Sequence, residues 1–368
     1  MLSPADDYLT HQTFEPIRYV VTSDRRYYDR YFFTGHMCDE RLFFMLGMGC
    51  YPNLGVIDGF GSFALDGVQY TIRGSRELSE NRMDTKGVGL LDVEVIEGLK
   101  ILRFRCRDEG QDVHFDLEWN GVVPAFPEPP LHMRVLGRMI EQGTRFIQTG
   151  TWTGYITIKG ERLELKPENA LGARDHAWGV RSIGFEREPK GIMQAKQLNK
   201  NRTSLWIWSP MQFKDYTVHF SLSEYANEER EINHVRKMPI YNKGDISYLE
   251  GAEHDLIFDQ ETRELKAGSK VSFLDENGER RTVTLYPLCC AHLRAGTGYG
   301  GPEPWRHGKY MGEVWSDLVE FDLNDRDLVA KIGPTHVLCR MEMDNGEVGY
   351  GTFETQVYGA YPRYGFKE

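Results

Sequence analysis

The sequence predicts an all-β protein in which two antiparallel β-barrels or sandwiches lie in tandem, with few short helices. Apolar and polar residues alternate with a period of two through many short segments, as in strands that bury one face. Asn-Gly and Asp-Gly pairs recur between those segments, and such pairs favour the tight turns of β-hairpins. No stretch alternates strands with helices in the βαβ manner, which disfavours a doubly wound parallel sheet.

The alternation is clearest in residues 102–106, 113–119 and 216–222, which are therefore predicted to be strands with one buried face. Consecutive hairpins of this kind suit barrels or sandwiches, because closure or stacking leaves few free sheet edges. The predicted hairpin turns are, in chain order, Asp66-Gly67, Lys159-Gly160, Asn277-Gly278 and Asn345-Gly346.

Helical signals are few, and the clearest lies in residues 131–142. This segment follows the Pro-rich stretch 127–130, carries apolar residues at helical spacing and is followed by Gly143. A short helix is therefore predicted there. Residues 317–329 fit a strand and a helix equally well.

The length of the chain, 368 residues, exceeds that of one ordinary domain and favours two. No low-complexity linker marks the border, which is expected at residues 168–172. This division gives an N-terminal lipocalin-like domain, 1–170, and a C-terminal one, 171–368, in the sense of the family resemblance described below.

Composition argues against several classes of protein. The formal net charge is −11 and no run of basic residues stands out, which argues against nucleic-acid binding. The start of the chain lacks a basic region and an apolar region, so no signal peptide is expected. The longest apolar run, residues 42–51, is about half of the ~20 residues that a membrane-spanning helix needs. We therefore expect no membrane span.

The six cysteines lack C-x-x-C spacing, and two of them are adjacent. That pattern fits neither a zinc site nor a secreted disulfide framework, and the histidines form no paired ligand motif. A cytoplasmic protein with reduced thiols is expected, with no metal and no cofactor.

The densest cluster of reactive side chains lies at residues 172–181. Here the sequence resembles the carotenoid 1,2-hydratase (hydroxyneurosporene synthase)-like family, which carries an Asp-His-Asn-Trp-Gly core where its two domains meet. Asp175, His176, Trp178 and Gly179 match that core. The resemblance implies tandem lipocalin-like barrels and hydratase-like chemistry.

Two positions depart from the family pattern, since Ala177 replaces the amide and Arg174 stands where the hydratases carry His. If this segment is extended, Arg174, His176 and Trp178 share one face and Asp175 lies on the other. Asp175 and His176 are the candidate catalytic residues, but because they are neighbours on a strand, a productive pair needs a bulge or partners from other strands.

Further candidates lie in a Gly- and Pro-rich stretch near residue 300, which reads either as a cavity rim or as an anchored surface loop. Trp119 and Tyr51 line a cavity or pack the core. Trp178 and Gly179 can equally plug a barrel end against an arginine, and Asp175 can be a buried ion-pair partner. The candidate substrate-binding residues are Arg174, Trp178, Arg181, Tyr299, Trp305, His307, Tyr51 and Trp119.

Together these features favour a cofactor-independent lyase or isomerase that acts by acid–base catalysis on a hydrophobic alkenyl, aromatic or terpenoid small molecule. The face of Trp178 would stabilise a positive centre formed on the way. Two rivals remain, a non-catalytic carrier of an apolar ligand and an interaction scaffold with filled barrels. The oligomeric state is open, and a homodimer is among the alternatives.

Overall fold

The computed structural model describes residues 2–135, 137–181, 204–333 and 336–367. The first twelve strands are β1 Tyr27–His36, β2 Leu42–Tyr51, β3 Val56–Leu65, β4 Val68–Glu77, β5 Leu91–Glu97, β6 Ile101–Cys106, β7 Val113–Gly121, β8 Phe126–Pro127, β9 Leu131–Val135, β10 Arg138–Ile158, β11 Glu161–Leu165 and β12 Leu171–Val180. The others are β13 Leu205–Gln212, β14 Tyr216–Glu224, β15 Arg230–Pro239, β16 Ser247–Asp255, β17 Ser269–Leu274, β18 Arg280–Ala291, β19 Val314–Asp322, β20 His336–Met343 and β21 Val348–Val357. The helical elements are α1 Arg326–Ile332 and the 3₁₀ turns Pro4–Asp7, Pro52–Leu54 and Pro362–Tyr364.

These strands form two structures, a curled sheet and a closed barrel. The curled sheet has 13 strands in the order β19-β4-β3-β2-β1-β12-β10-β7-β6-β5, with β8, β9 and β11 also paired to β10. The barrel has the order β13-β14-β15-β16-β17-β18-β20-β21 and closes on itself. The predicted all-β fold is confirmed, and each of the four predicted turn pairs connects two antiparallel strands.

Strand pairing does not divide the chain at 170/171. β12 pairs with β1 on one side and β10 on the other, so it lies in the middle of the curled sheet. β19, from the C-terminal half, pairs with β4 at the end of the same sheet. The two predicted domains remain a proposal, and the curled sheet takes strands from both.

The predicted helix at 131–142 is wrong, because this segment forms β9 and the start of β10. Residues 131–135 pair with residues 138–143, and Gly137 between them has φ +76°. The apolar residues at 131, 133 and 135 also fit a period of two, and pairing with a neighbouring strand outweighs weak local preference. The ambiguous segment 317–329 contains the end of β19 and the start of α1.

β2 is buried along its whole length, which explains its uninterrupted apolar sequence. Phe44 and Leu46 belong to the core inside the curled sheet. Phe43 and Met45 point the other way and pack near Leu338 of the barrel. Both faces of the strand therefore lie in apolar cores, and a strand of this kind loses its alternation.

The outer face of the curled sheet packs against the outside of the barrel. Buried hydroxyl pairs join the two, Thr149 with Thr217 at 2.6 Å and Thr352 with Thr34 at 2.9 Å. Within the described ranges, no helix has the length and apolar character needed to cross a bilayer. The interface between sheet and barrel contains most of the buried charged groups discussed below.

Candidate functional site

The residues of the 172–181 motif lie on two opposite faces of β12. Asp175 lies opposite Phe32 of β1, and His176 lies opposite Tyr31. Phe32 packs in the interface with the barrel, whereas Tyr31 packs against the core inside the curled sheet. The predicted alternation of this segment is therefore confirmed, with Asp175 and His176 on opposite faces.

On the inner face, His176 lies among aromatic rings. Its ring centroid is 4.5 Å from that of Tyr31, 5.4 Å from that of Phe146 and 5.5 Å from that of Trp178. Its Nε2 is 2.7 Å from Oδ1 of Asp29, with 22% of the His176 side chain exposed. The group therefore has a polar partner and lies at the edge of the core.

Arg174 lies deeper on the same inner face and is 2% exposed. Its Nε donates a hydrogen bond of 2.9 Å to Oε1 of Gln148, and its guanidinium lies 5.1 Å from the ring of Phe146. Burial lowers the pKa of Arg174 to about 10. Trp119 is fully buried and packs edge-on against Phe33, so its position is that of a core residue.

The outer face carries a different constellation, here called the inter-sheet site. It combines groups from β1, β10 and β12 of the curled sheet, from β13 and β21 of the barrel, and from the loop after β18. Several of them keep partial contact with solvent although they lie between sheet and barrel. The members of the inter-sheet site are Tyr28, Arg30, Arg145, Asp175, Arg181, Trp206, Tyr299 and Glu354.

Glu354 is the most strongly perturbed carboxyl group of this site. Burial raises its pKa to about 7, and the Asp175 carboxylate adds to that rise, whereas Arg145 and Arg181 oppose it. The Glu354 side chain is nevertheless 19% exposed, and its Oε2 lies 3.7 Å from Nε2 of His336. Glu354 therefore combines a raised pKa with a side chain that solvent still partly reaches. Such a group exchanges protons near neutral pH.

Arginine guanidinium groups stack against the aromatic rings of the inter-sheet site. The guanidinium of Arg30 lies 4.4 Å from the ring centroid of Tyr299, and that of Arg181 lies 5.3 Å from the ring of Tyr28. Arg145 lies 5.5 Å from the ring of Trp206 and also pairs with the carboxylate of Glu128. Such stacking positions both the cation and the ring.

Arg30 differs from Arg145, which is paired with Glu128, in forming no ion pair among the described residues. It is 4% exposed, and its Nε and Nη2 have no hydrogen-bond partner among the described residues. None of the ion pairs found in the described part of the chain includes it. A buried cation with unused donors is a place where an anionic or carbonyl oxygen is stabilised.

A second buried carboxyl, Asp58, lies near Arg30 in what is here called the Asp58 cluster. Gly308 N donates to Oδ2 of Asp58 at 2.6 Å, and Nδ1 of His307 lies 3.2 Å from Oδ1. Burial raises the pKa of Asp58 to about 7, against the lowering effects of Gly308 and Arg30. The cluster is completed by the rings of Tyr51 and Trp305, both beside His307.

Tyr299 connects the Asp58 cluster to the inter-sheet site. Its ring lies edge-on to that of His307 with centroids 4.9 Å apart, and the guanidinium of Arg30 also lies against it. Burial keeps the pKa of His307 well below its ordinary value, so this ring is neutral at pH 7. The loop that carries Tyr299 and His307 is held on the curled sheet, with Arg73 of β4 paired to Glu303 of the loop at 2.8 Å.

The structure thus separates the predicted site residues into three groups. Arg174, His176 and Trp178 lie on the inner face, and Trp119 lies in the core. Asp175, Arg181 and Tyr299 lie in the inter-sheet site, and Tyr51, Trp305 and His307 lie in the adjoining Asp58 cluster.

The sequence reasoning missed Arg30, Arg145, Glu354 and Asp58. One signal was available for Asp58, because it is the only charged residue in an otherwise apolar β3. Glu354 and Arg145 lie on strands whose alternation makes them look solvated, since a polar outer face was expected there.

Comparisons with known proteins show that this architecture is similar to that of two solved structures. A protein proposed to be AttH from Nitrosomonas europaea superimposes with a TM-score of 0.51 at 11% identity, over 95% of this chain and 98% of that one. CghA with Sch210972 superimposes with a TM-score of 0.52 at 10% identity, over 90% of this chain and 89% of that one. At such identity the likeness concerns the fold.

No curated protein matches the sequence. The carotenoid hydratase resemblance is supported at the level of the fold, and membership of that family stays a prediction. A family model does match, over residues 2–367, that is, almost the entire chain. This chain therefore belongs to the family of unknown function DUF8625.

Proposed function

We propose that this protein is a lyase or isomerase that works without a cofactor, by acid–base chemistry on a hydrophobic small molecule at the inter-sheet site. The observation that carries the proposal is Glu354, a carboxyl with a pKa of about 7 that interacts electrostatically with Asp175 and keeps 19% of its side chain exposed. General acid–base catalysis is most efficient when the pKa of the catalytic group is close to the working pH.

The two carboxyl groups suit different roles. Burial and the electrostatic effect of Asp175 raise the pKa of Glu354 to about 7, so a large fraction of this group is protonated at neutral pH and we assign it the role of proton donor. Asp175 lies within electrostatic range of the guanidinium groups of Arg145 and Arg181, and we assign it the role of proton acceptor. Hydration, dehydration, elimination and a double-bond shift all need one donor and one acceptor.

The walls of the site favour a substrate with an apolar or aromatic body. Tyr28 and Phe32 are 7% and 6% exposed, and Phe32 lies 6.5 Å from the ring of Tyr299. Trp206 of the barrel lies 5.5 Å from the guanidinium of Arg145. The similar structure of CghA was determined with Sch210972, which supports small-molecule binding by this architecture.

A non-catalytic carrier is the alternative, and one experiment separates the two functions. Co-purifying small molecules are identified by native mass spectrometry, and the protein is then incubated with those molecules and with an extract of small metabolites. An enzyme changes a compound, by gain or loss of water or by isomerisation. A carrier returns every bound compound unaltered.

Substitutions at Glu354 and at a control residue test whether the reaction takes place at the inter-sheet site. Glu354→Gln is expected to lower turnover at least 100-fold, as general acid–base groups contribute about 10²–10⁴-fold. Glu342→Gln is the matched control, since Glu342 is also on a barrel strand but is 39% exposed and paired with Arg340. Equal turnover by wild type and Glu354→Gln would rule out this assignment.

A further inference from the structure

We propose that the substrate carries a carbonyl oxygen that binds Arg30, and that the reaction passes through an enolate rather than a carbocation. This inference rests on the proposed function and names the substrate class for the same site. It is carried by the unused donors of a buried guanidinium and by the arrangement of rings around it.

The first argument concerns charge. Arg145 is paired with Glu128, whereas Arg181 forms no ion pair among the described residues and interacts with Asp175 only electrostatically. Arg30 has Asp58 nearby but no ion pair with it, and both Nε and Nη2 lack acceptors among the described residues. An oxyanion placed against those donors gains two charge-assisted hydrogen bonds in a water-poor place.

The second argument concerns the aromatic rings. A carbocation would be stabilised by the face of an electron-rich ring. In the inter-sheet site, Tyr299, Tyr28 and Trp206 each have an arginine within 6 Å of the ring centroid, at 4.4, 5.3 and 5.5 Å. A positive centre at these rings would be repelled by the same guanidinium groups. The expected cation at Trp178 has no counterpart here, because Trp178 lies on the inner face.

These parts describe a complete elimination from a β-hydroxycarbonyl compound. Asp175 removes a proton from the α-carbon, and the C–H electron pair forms the C=C bond of an enolate whose oxygen rests on Arg30. The enolate then re-forms the carbonyl as the C–O bond at the β-carbon breaks. Glu354 protonates the departing hydroxyl, so the products are an α,β-unsaturated carbonyl compound and water. Reprotonation of an extended enolate at the γ-carbon would instead shift a double bond.

A stable phenolate tests the oxyanion site without any turnover. The probe is 4-nitrophenol, whose phenolate absorbs visible light and whose phenol does not. Bound to the wild-type protein, it is expected to ionise at a pH at least one unit lower than in free solution, since the anion is bound at least tenfold more tightly than the phenol. Arg30→Met is expected to abolish that shift, and Arg30→Lys to retain part of it.

Two controls keep the outcome unambiguous. Arg162→Met changes an arginine that is 51% exposed and paired with Glu164, and it is expected to bind the probe as wild type does. Glu354→Gln is expected to bind the phenolate equally or more tightly, because it removes a potential negative charge. If Arg30→Met does not fold, the smaller shift expected of Arg30→Lys tests the same assignment, and a shift equal to that of wild type would contradict it.

Preferred binding of the neutral phenol, or no binding up to millimolar probe, overturns the enolate proposal. If Glu354→Gln also abolishes turnover of an identified substrate, the acid–base function stands and only the oxyanion site fails. If the phenolate binds through Arg30 but no compound is turned over, the acid–base function fails and anion recognition stands.

Discussion

Asp175 and His176 are adjacent in the chain but lie on opposite faces of β12. Asp175 faces the barrel and acts electrostatically on Glu354, whereas His176 lies with Tyr31 inside the curled sheet and contacts Asp29. A strand without a bulge cannot bring two neighbouring side chains to one substrate. The motif therefore contributes one group to each side of the sheet.

Asp175→Asn and His176→Gln tell which face carries the chemistry. We expect Asp175→Asn to lower kcat/KM at least 100-fold, because the proton acceptor is lost. His176→Gln is expected to act mainly on folding, costing about 1–2 kcal/mol through the weakened contact with Asp29. Turnover assays and urea unfolding of both variants measure the two effects. A large loss of turnover in His176→Gln with Asp175→Asn unaffected would move the reaction to the inner face.

Local patterns were sufficient to predict the strands, the hairpin turns and the two faces of β12, because each depends on residues near in sequence. They were not sufficient for Arg30 and Glu354, which come close only when the curled sheet packs against the barrel. The failed helix at 131–142 has the same cause, since its structure is decided by pairing with residues along β10. Of the missed groups, Asp58 alone had a local signal, a charge inside an apolar strand.

Gly308→Ala tests how tightly the Asp58 cluster is packed. Gly308 has φ +75°, and a Cβ there would lie 2.7 Å from Cδ1 of Leu54 and 3.2 Å from the ring of Tyr51. We expect a loss of about 2–4 kcal/mol in the free energy of unfolding, the sum of backbone strain and overpacking. Gly278→Ala is the control, with φ +77° and nothing within 4 Å, and should cost about 1 kcal/mol. Equal losses in the two variants would show that the cluster yields to the extra methyl group.

A fragment of residues 1–170 tests the division predicted from the sequence. It lacks β12, so β1 and β10 lose the strand between them, and it lacks β19, which covers β4. We expect no cooperative unfolding transition from this fragment. Residues 1–181 restore β12 and are expected to regain strand signal in circular dichroism but to self-associate through the free edge of β4. A monomeric, cooperatively folded 1–170 would support the original boundary.

Glu354 lowers the free energy of unfolding as the pH rises, and Glu354→Gln removes this effect. The pKa of Glu354 is about 7 in the folded protein against an ordinary value of 4.5, so the folded state holds the proton more tightly than the unfolded state between these values. Stability from this group is complete below pH 4.5 and is lost as the pH rises through 7. The variant should therefore match wild type at pH 4.5 and exceed it by up to about 3 kcal/mol at pH 8.

Other groups with shifted pKa values leave that difference unchanged. Asp58 has a pKa of about 7, which adds a cost of the same sign, and His336 has a pKa of about 3, which favours folding as the pH rises from 3 to 6.5. Both are present in wild type and variant, so their contributions cancel when the two unfolding free energies are subtracted. His336 also lies 3.7 Å from Glu354, but at pH 8 it is neutral in both proteins. Urea unfolding at pH 4.5, 6 and 8 gives the difference directly, and a difference that stays constant with pH would mean that Glu354 titrates as an ordinary carboxyl.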